Sequence, residues 1–131
     1  MTKFKVLLVD DEEEFVLALA ERLQLRDLDV SVVYNGEQAL QAIHDDVPDI
    51  ILLDLNMPGM DGLEVLKRVK KNRPQIEVVI LTGHGSEKDA EIAQRLGAFG
   101  YLQKPLDIGE IVQALNQAYK HKIAEAATVV V

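Results

Sequence analysis

Carboxylate, hydroxyl and ammonium side chains follow directly after four short, mostly apolar runs of this sequence. The runs VLLV, IILL, VVIL and GYLQ lead respectively into Asp10 and Asp11, Asp54, Thr82, and Lys104. Apolar runs of this kind are typical of strands buried inside a parallel sheet, where a charged group is expensive. A buried strand that ends abruptly at Asp54 therefore indicates a carboxylate with a specific task.

Brought together, these groups could bind a divalent cation and act on phosphate. Two carboxylates about 4 Å apart repel each other by about 4 kcal/mol at an effective dielectric of 20, and a cation between them removes that repulsion. Oxygen ligands, in a sequence with no cysteine and no paired histidines, favour Mg²⁺ or Mn²⁺. A carboxylate beside a metal and an ammonium group is a nucleophile toward phosphorus and would give an aspartyl phosphate.

Each of these residues also has a simpler explanation. Asp11 is a suitable helix N-cap, and Asp10 is a favourable neighbour of a helix N-terminus. Thr82 is β-branched and belongs in a strand, Lys104 alone is usually a solvated charge, and His84 is interpreted as an exposed loop residue. Their joint position favours a site, because ligands of open α/β sheets bind beyond the carboxyl ends of the strands.

Strand and helix patterns alternate along the whole chain. Strands are predicted at Val6–Val9, Val30–Tyr34, Ile50–Leu53, Val78–Leu81 and Phe99–Leu102. Helix starts are predicted from capping-box-like pairs at Asp11/Glu14, Asn35/Gln38, Asp61/Glu64, Ser86/Asp89 and Asp107/Glu110. The acids from Glu12 to Glu14 are interpreted as solvated residues of the first helix. Five such strand–helix units predict a parallel sheet with helices on both faces, joined by right-handed crossovers.

Length and composition limit the function classes. The chain of 131 residues suits one domain, and its net charge of −8 argues against direct nucleic-acid binding. No apolar run approaches the roughly 20 residues of a membrane span, and the N-terminus is not a signal peptide, so a cytoplasmic location is expected. The final AEAATVVV either extends the last helix or begins a linker.

Four segments together resemble the receiver domain of two-component response regulators: VLLVDDEEE, IILLDLNMPGMDG, VVILTGHG and GYLQKPLD. The resemblance covers about Lys3 to Lys122. It implies a flavodoxin-like α/β fold, a doubly wound five-stranded parallel sheet of order 2-1-3-4-5 with five helices. We expect residues 1–122 to form the receiver domain and residues 123–131 a C-terminal tail or the start of a linker.

The resemblance implies a role for each site residue. Asp54 corresponds to the phosphoacceptor, Thr82 to the phosphate-sensing hydroxyl, and Lys104 to the family's lysine at the phosphate. The Lys104–Pro105 peptide bond is expected to be cis. Tyr101 corresponds to the aromatic switch residue, which would turn inward behind Thr82 on phosphorylation. The alternative for Tyr101 is a fixed ring whose hydroxyl stays in water.

The resemblance also implies a Mg²⁺ site that Mn²⁺ could fill. Asp11 would bind the metal directly, as Asp54 would, and Asp10 would bind it through water. The backbone carbonyl of Asn56 would be a third protein ligand. Asn56 and His84 would flank the path of the hydrolytic water and so tune the lifetime of the aspartyl phosphate.

The implied function is signalling rather than enzymatic turnover of a separate substrate. A sensor histidine kinase or phosphotransfer protein would donate the phosphoryl group, and the domain would catalyse its own phosphorylation and hydrolysis. The face of the fourth helix, fifth strand and fifth helix would then control an output, a partner or a phosphorylation-dependent dimer. The sequence leaves open the kinase, the output, and whether the domain is freestanding or part of a larger regulator or hybrid kinase.

Three other functions are also compatible with an aspartate at the end of a strand in an α/β fold. An aspartyl-phosphate phosphohydrolase usually has a second aspartate two residues after the nucleophile, where this chain has Asn56. A flavodoxin-like cofactor carrier needs a phosphate loop after the first strand, where DDEEE would repel phosphate. A binding module that works without phosphorylation is the third alternative.

Overall fold

The computed structural model describes residues 3–83 and 85–129. The strands are β1 Lys5–Val9, β2 Asp29–Val33, β3 Ile50–Leu53, β4 Glu77–Thr82 and β5 Gly100–Gln103. The helices are α1 Glu13–Gln24, α2 Gly36–Asp45, α3 Gly62–Asn72, α4 Glu87–Arg95 and α5 Ile108–Val129. Each predicted strand is confirmed to within one residue at either end. None of the helices in the described ranges combines the length and apolarity that crossing a membrane requires.

The five strands form one parallel sheet in the order β2-β1-β3-β4-β5, which confirms the expected fold. Its register brings the functional candidates to one edge. Val9 of β1 pairs with Leu53 of β3, so the two residues that follow, Asp10 and Asp54, leave the sheet at the same level. Thr82 pairs with Gln103, which places Lys104 immediately beyond the end of β4.

Two apolar layers cover the sheet, one on each face. Alternate residues of β3 divide between them: Ile50 and Leu52 pack on the α1 and α5 side, and Ile51 and Leu53 on the side of α2, α3 and α4. Burying an aliphatic side chain of this size is worth about 1.5 to 3 kcal/mol. A strand anchored on both faces is therefore a rigid mount for the residue that follows it, Asp54.

Four of the five predicted helix caps are confirmed. The side chains of Asn35, Asp61, Ser86 and Asp107 accept hydrogen bonds from the backbone N–H three residues later. The first prediction is wrong: the N-cap of α1 is Glu12, and its side chain makes no capping bond. The Asp10 carboxylate instead accepts the backbone N–H of Glu12 at 2.9 Å, which delays the start of the helix by one residue.

Helix α5 continues through Val129, so the C-terminal segment extends the last helix rather than leaving it early. Helix α5 is anchored near its middle, before this segment, where the Tyr119 ring stacks on Phe4 with centroids 4.4 Å apart and His121 contacts Glu77. The domain boundary at residue 122 stays a prediction.

Candidate functional site

Two buried carboxylates form the centre of the site at the carboxyl edge of the sheet. Asp10 is 4% exposed and Asp54 is 3% exposed. Their backbone N–H groups still donate to the neighbouring strands, Asp54 to the Val9 carbonyl at 2.9 Å and Asp10 to the Val33 carbonyl at 3.2 Å. Both side chains are thus held at the strand ends by the sheet itself.

Helix α3 fixes the backbone on the other side of Asp54. A Cβ at Gly62 would lie 2.5 Å from the Asp54 carbonyl oxygen and 2.6 Å from the Leu55 Cα, which no real side chain tolerates. The Gly62 N–H donates to the Leu55 carbonyl at 3.0 Å. Gly62, the second glycine of the MPGMDG segment, is therefore needed for the start of α3 to pack directly on the end of β3.

Lys104 brings a positive charge to the buried acids. Its ammonium donates to Asp10 Oδ2 at 2.7 Å and to Glu12 Oε1 at 2.7 Å, and it lies 4.3 Å from the centroid of the Phe15 ring. Its backbone N–H donates to the Thr82 carbonyl at 3.0 Å. The Lys104–Pro105 bond is cis, which confirms that expectation.

The carboxylates of Asp10, Glu12 and Asp54 could together hold a cation. Each offers one oxygen, and these oxygens all lie within 4.8 Å of one another. Hard oxygen ligands of this kind suit Mg²⁺ or Mn²⁺. Asp11, the predicted direct ligand, is exposed and lies outside this cluster. Its role as a ligand stays a prediction.

Glu12 is the site residue that sequence reasoning missed. Its side chain is half exposed, as expected for a solvated residue, but its carboxylate reaches both Lys104 and the acid cluster. A signal was present in the sequence, because an aspartate can accept the backbone N–H two residues later and so close a turn. Asp10 does this with the Glu12 N–H at 2.9 Å. The turn brings the Glu12 carboxylate to Lys104 and leaves Asp11 exposed.

The pKa values of Asp10 and Lys104 are both raised, but burial acts on the two groups in opposite directions. Burial raises the pKa of Asp10, and this outweighs the lowering by the Lys104 ammonium and the Glu12 N–H; the Asp54 charge raises it further. For Lys104, burial lowers the pKa, but the hydrogen bonds to Asp10 and Glu12 outweigh burial and leave it raised. Because, among the described residues, three carboxylates lie close together beside a single lysine ammonium, the site favours binding of additional positive charge.

The two predicted switch residues lie together. Thr82 is fully buried, and a Cβ at Gly85 would lie 1.3 Å from the Tyr101 hydroxyl oxygen and 2.9 Å from the Thr82 methyl. The Tyr101 hydroxyl thus occupies the space that a side chain at position 85 would fill. Within the described residues it is buried without a hydrogen-bond partner, and burial, followed by the Asp89 charge, raises its pKa. The alternative of a hydroxyl in water is wrong for this structure.

The two residues proposed to tune hydrolysis are less well defined. Asn56 is exposed, and its backbone N–H donates to Asp54 Oδ1 at 3.3 Å, so the loop that carries it is tied to the buried acid. The roles of its side chain and carbonyl stay predictions. His84 lies outside the described residues.

Comparison with known proteins supports one family. A family model for the response regulator receiver domain matches residues 6–116. The chain is 39% identical over 116 residues to the DNA-binding transcriptional regulator NtrC of Escherichia coli K12, covering 88% of this chain and 25% of that protein. It is 41% identical over 112 residues to the transcriptional regulatory protein CpxR of the same organism, covering 86% of this chain and 47% of that protein.

Solved structures agree with the fold. A CheY-like receiver domain protein from Methanospirillum hungatei superposes with a TM-score of 0.91 at 22% identity, covering 95% of this chain and 99% of that one. The receiver domain of NtrX from Brucella abortus gives a TM-score of 0.83 at 31% identity, covering 88% of this chain and 98% of that one. The chain thus spans between a quarter and a half of the curated relatives but nearly all of these solved domains.

Proposed function

The chain belongs to the response regulator receiver domain family of two-component systems, and from this membership and the site geometry we propose that it accepts a phosphoryl group on Asp54. One observation carries the proposal. Asp54 is a 3% exposed carboxylate at the end of an apolar strand, beside a cluster of acids and a lysine ammonium. The Asp54 carboxylate accepts the Asn56 N–H at 3.3 Å, but one long hydrogen bond does not offset the cost of burying a charge. Membership also sets aside the phosphohydrolase and cofactor-carrier alternatives.

In the proposed step, an Asp54 carboxylate oxygen bonds to phosphorus as the bond from phosphorus to the donor's histidine nitrogen breaks. The bonding electron pair leaves with that nitrogen. The Lys104 ammonium and the Thr82 hydroxyl then donate hydrogen bonds to phosphoryl oxygens. Asp10, Glu12 and Asp54, with Asp11 and the Asn56 carbonyl as the further ligands that the resemblance implies, would hold Mg²⁺ or Mn²⁺, and the cation would supply positive charge to the phosphoryl group.

Hydrolysis would end the signal by attack of water on phosphorus, which returns Asp54 to its free carboxylate and releases inorganic phosphate. Asn56, two residues beyond Asp54, and His84, two beyond Thr82, are proposed to tune this step. Because both side chains are polar and neither carries a fixed negative charge, replacing them should change the lifetime of the phosphorylated form.

The donor is proposed to be a sensor histidine kinase or a phosphotransfer protein. NtrC and CpxR are transcriptional regulators by name, and this chain spans 25% and 47% of their lengths. We therefore propose that it controls an output carried elsewhere, through the face of α4, β5 and α5. The same face could instead bind a separate partner protein, if the domain acts as a freestanding messenger, or a second copy of the domain in a phosphorylation-dependent dimer.

Contact between Thr82 and Tyr101 supports a readout through this face. When the Thr82 hydroxyl turns toward a phosphoryl oxygen, the packing around the Tyr101 ring changes, and Tyr101 lies on β5 next to α4. Thr82→Ala should still be phosphorylated but lose part of the response. Chemical shifts of α4 and β5, with and without beryllofluoride, would reveal this, and identical changes in both proteins would count against the coupling.

Intact-mass measurement after incubation with acetyl phosphate and Mg²⁺ tests the proposed function. Wild type should gain one phosphoryl group, and Asp54→Asn should gain none. Asp45→Asn is the matched control, because it removes the same charge from an exposed position on α2. Phosphorylation that persists in Asp54→Asn, or that maps to another residue, would overturn the assignment. A wild type that stays unmodified would instead favour a binding module that works without phosphorylation.

A further inference from the structure

The Lys104 ammonium is shared between two carboxylates of very different exposure. Asp10 and Glu12 each accept from it at 2.7 Å, but the Asp10 side chain is 6% exposed and the Glu12 side chain is 55% exposed. The Phe15 ring lies under the same ammonium at 4.3 Å and limits its movement on that side. The contact with Glu12 is therefore the one that water can most easily replace.

Local backbone geometry directs Glu12 to the lysine. Glu12 is the N-cap of α1, but its side chain does not cap the helix. Asp10 Oδ1 accepts the Glu12 N–H at 2.9 Å and so ties the segment into a turn, while Asp10 Oδ2 binds Lys104. One aspartate thus fixes both the backbone of Glu12 and the ammonium that Glu12 contacts. This geometry gives the Glu12 carboxylate a defined position at the site.

An ammonium group has three N–H donors, and here two of them are directed to Asp10 and Glu12. A phosphoryl group on Asp54 would need the same ammonium. Burial lowers the pKa of Lys104, and the hydrogen bonds to Asp10 and Glu12 raise it more than the neighbouring Asp54 charge does. Because both carboxylates hold the ammonium beside the end of β1, a phosphoryl group on Asp54 has to compete with them for its position.

Resting on the phosphoryl transfer proposed above, we propose that Glu12 is a positioning residue for Lys104: its carboxylate holds the ammonium beside the end of β1 and competes for it with a phosphoryl group on Asp54. Of the two contacts, the more exposed one to Glu12 yields first. Glu12 thereby restrains Lys104 before transfer and sets how readily the ammonium reaches the phosphoryl oxygens.

Phosphorylation rates test the restraint. The rates are compared at a Mg²⁺ concentration that saturates each variant, so that loss of the Glu12 oxygen from the acid cluster does not limit them. Glu12→Gln and Glu12→Ala should then accept phosphate from acetyl phosphate about two- to fivefold faster than wild type, the size expected for one partly exposed ion pair. Glu13→Gln is the matched control, because it removes the same charge from the next, exposed residue and should keep the wild-type rate. Glu12 variants that match Glu13→Gln, or that are slower than wild type, would overturn the proposal.

A second comparison separates positioning from simple repulsion of the anionic donor. In a Lys104→Ala background, Glu12→Ala should have no further effect on the rate, because its partner is gone. Acceleration of the same size in that background would mean that Glu12 acts on the donor directly, which would contradict the proposal.

Ammonium NMR of ¹⁵N-labelled protein without any donor gives a readout independent of phosphorylation. The Lys104 signal is identified by its loss in Lys104→Arg. It should show more side-chain motion in Glu12→Ala than in wild type, and the same motion in Glu13→Gln as in wild type. An unchanged signal in Glu12→Ala would refute the restraint. If wild type is not phosphorylated at all, the proposed function fails, and this spectrum still decides whether Glu12 holds Lys104.

Discussion

The two ends of the sheet both bury carboxylates, but they neutralise them differently. At the amino end of β4, Glu77 is 5% exposed and contacts both the Lys70 ammonium, with Nζ and Oε1 3.6 Å apart, and the His121 imidazole. Lys70 also donates to the carbonyls of Pro74 and Ile76 at 2.9 and 2.8 Å. One acid there meets two nitrogen groups, which tie α3 and α5 to the sheet.

At the carboxyl end of the sheet, acids outnumber basic groups. In the described part of the chain, Asp10, Glu12 and Asp54 gather around the single ammonium of Lys104. Burial of an acid therefore does not by itself mark a functional site. An acid matched by basic groups is a structural tie, whereas acids that outnumber them favour binding of a cation and reaction with phosphate.

The largest effect on stability should come from the amino end. Glu77→Gln leaves the Lys70 ammonium without its carboxylate and weakens the contact with His121. We expect the free energy of unfolding to fall by about 2 to 3 kcal/mol, at the low end for a broken buried pair because Lys70 keeps its two carbonyl partners. Urea denaturation would measure the change.

Glu125→Gln is the control for that prediction. Glu125 also contacts His121, with Nε2 and Oε1 3.4 Å apart, but its side chain is exposed. Its replacement should change the unfolding free energy by less than about 0.5 kcal/mol. If Glu77→Gln were as stable as Glu125→Gln, the amino-end acid would not be the structural tie described here.

A change of the opposite sign is expected at the carboxyl end. Without metal, Asp54→Asn should raise the free energy of unfolding by about 1 kcal/mol, because it removes one charge from a cluster of carboxylates that repel one another. Asp45→Asn, on exposed α2, should leave stability nearly unchanged. A destabilised Asp54→Asn in metal-free buffer would contradict the difference between the two ends.

Added Mg²⁺ should also distinguish the two ends of the sheet. Mg²⁺ should stabilise wild type more than Asp54→Asn, because a ligand that binds the folded state raises its stability and Asp54→Asn lacks one carboxylate of the cluster. The melting temperature of Glu77→Gln should rise with Mg²⁺ as much as that of wild type. Equal stabilisation of wild type and Asp54→Asn would place the cation elsewhere.

The smallest expected effect is on pH dependence. The folded state raises the pKa of Asp10 above its ordinary 3.8, chiefly by burial, so folded protein binds this proton more tightly than unfolded protein. The stability that Asp10 contributes is therefore present below pH 3.8 and is lost as pH rises through the raised value. Asp10→Asn should gain stability relative to wild type between acidic and neutral pH. Urea midpoints across that range would show it, and a constant difference would refute it.

Much of the fold and most of the site were predictable, because strand ends follow directly from apolar runs. A run such as IILL has to be a buried strand, and in a parallel sheet its carboxyl end must meet those of its neighbours. The four residues that follow such runs, Asp10, Asp54, Thr82 and Lys104, lie at one edge of the sheet in the structure, as predicted.

Side-chain direction beyond the strand ends was not predictable in the same way. Whether Asp11 or Glu12 joins Asp10 depends on how far the backbone stays extended before α1 begins, and Asp10 itself decides this by accepting the Glu12 N–H. Likewise, the position of the Tyr101 hydroxyl depends on the space left by Gly85 in the loop after β4. Apolar periodicity carries no information about either contact.

Phosphorylation of variants from both ends of the sheet shows whether Asp54 reacts with phosphate while Glu77 has only a structural role. Glu77→Gln and Asp54→Asn would be incubated with acetyl phosphate and Mg²⁺ at a temperature where both are folded, and then mapped by peptide mass. We expect that Glu77→Gln, though less stable, carries a phosphoryl group on Asp54 at the wild-type level, and that the more stable Asp54→Asn carries none. A phosphorylated Asp54→Asn, or a folded Glu77→Gln that stays unmodified, would contradict it.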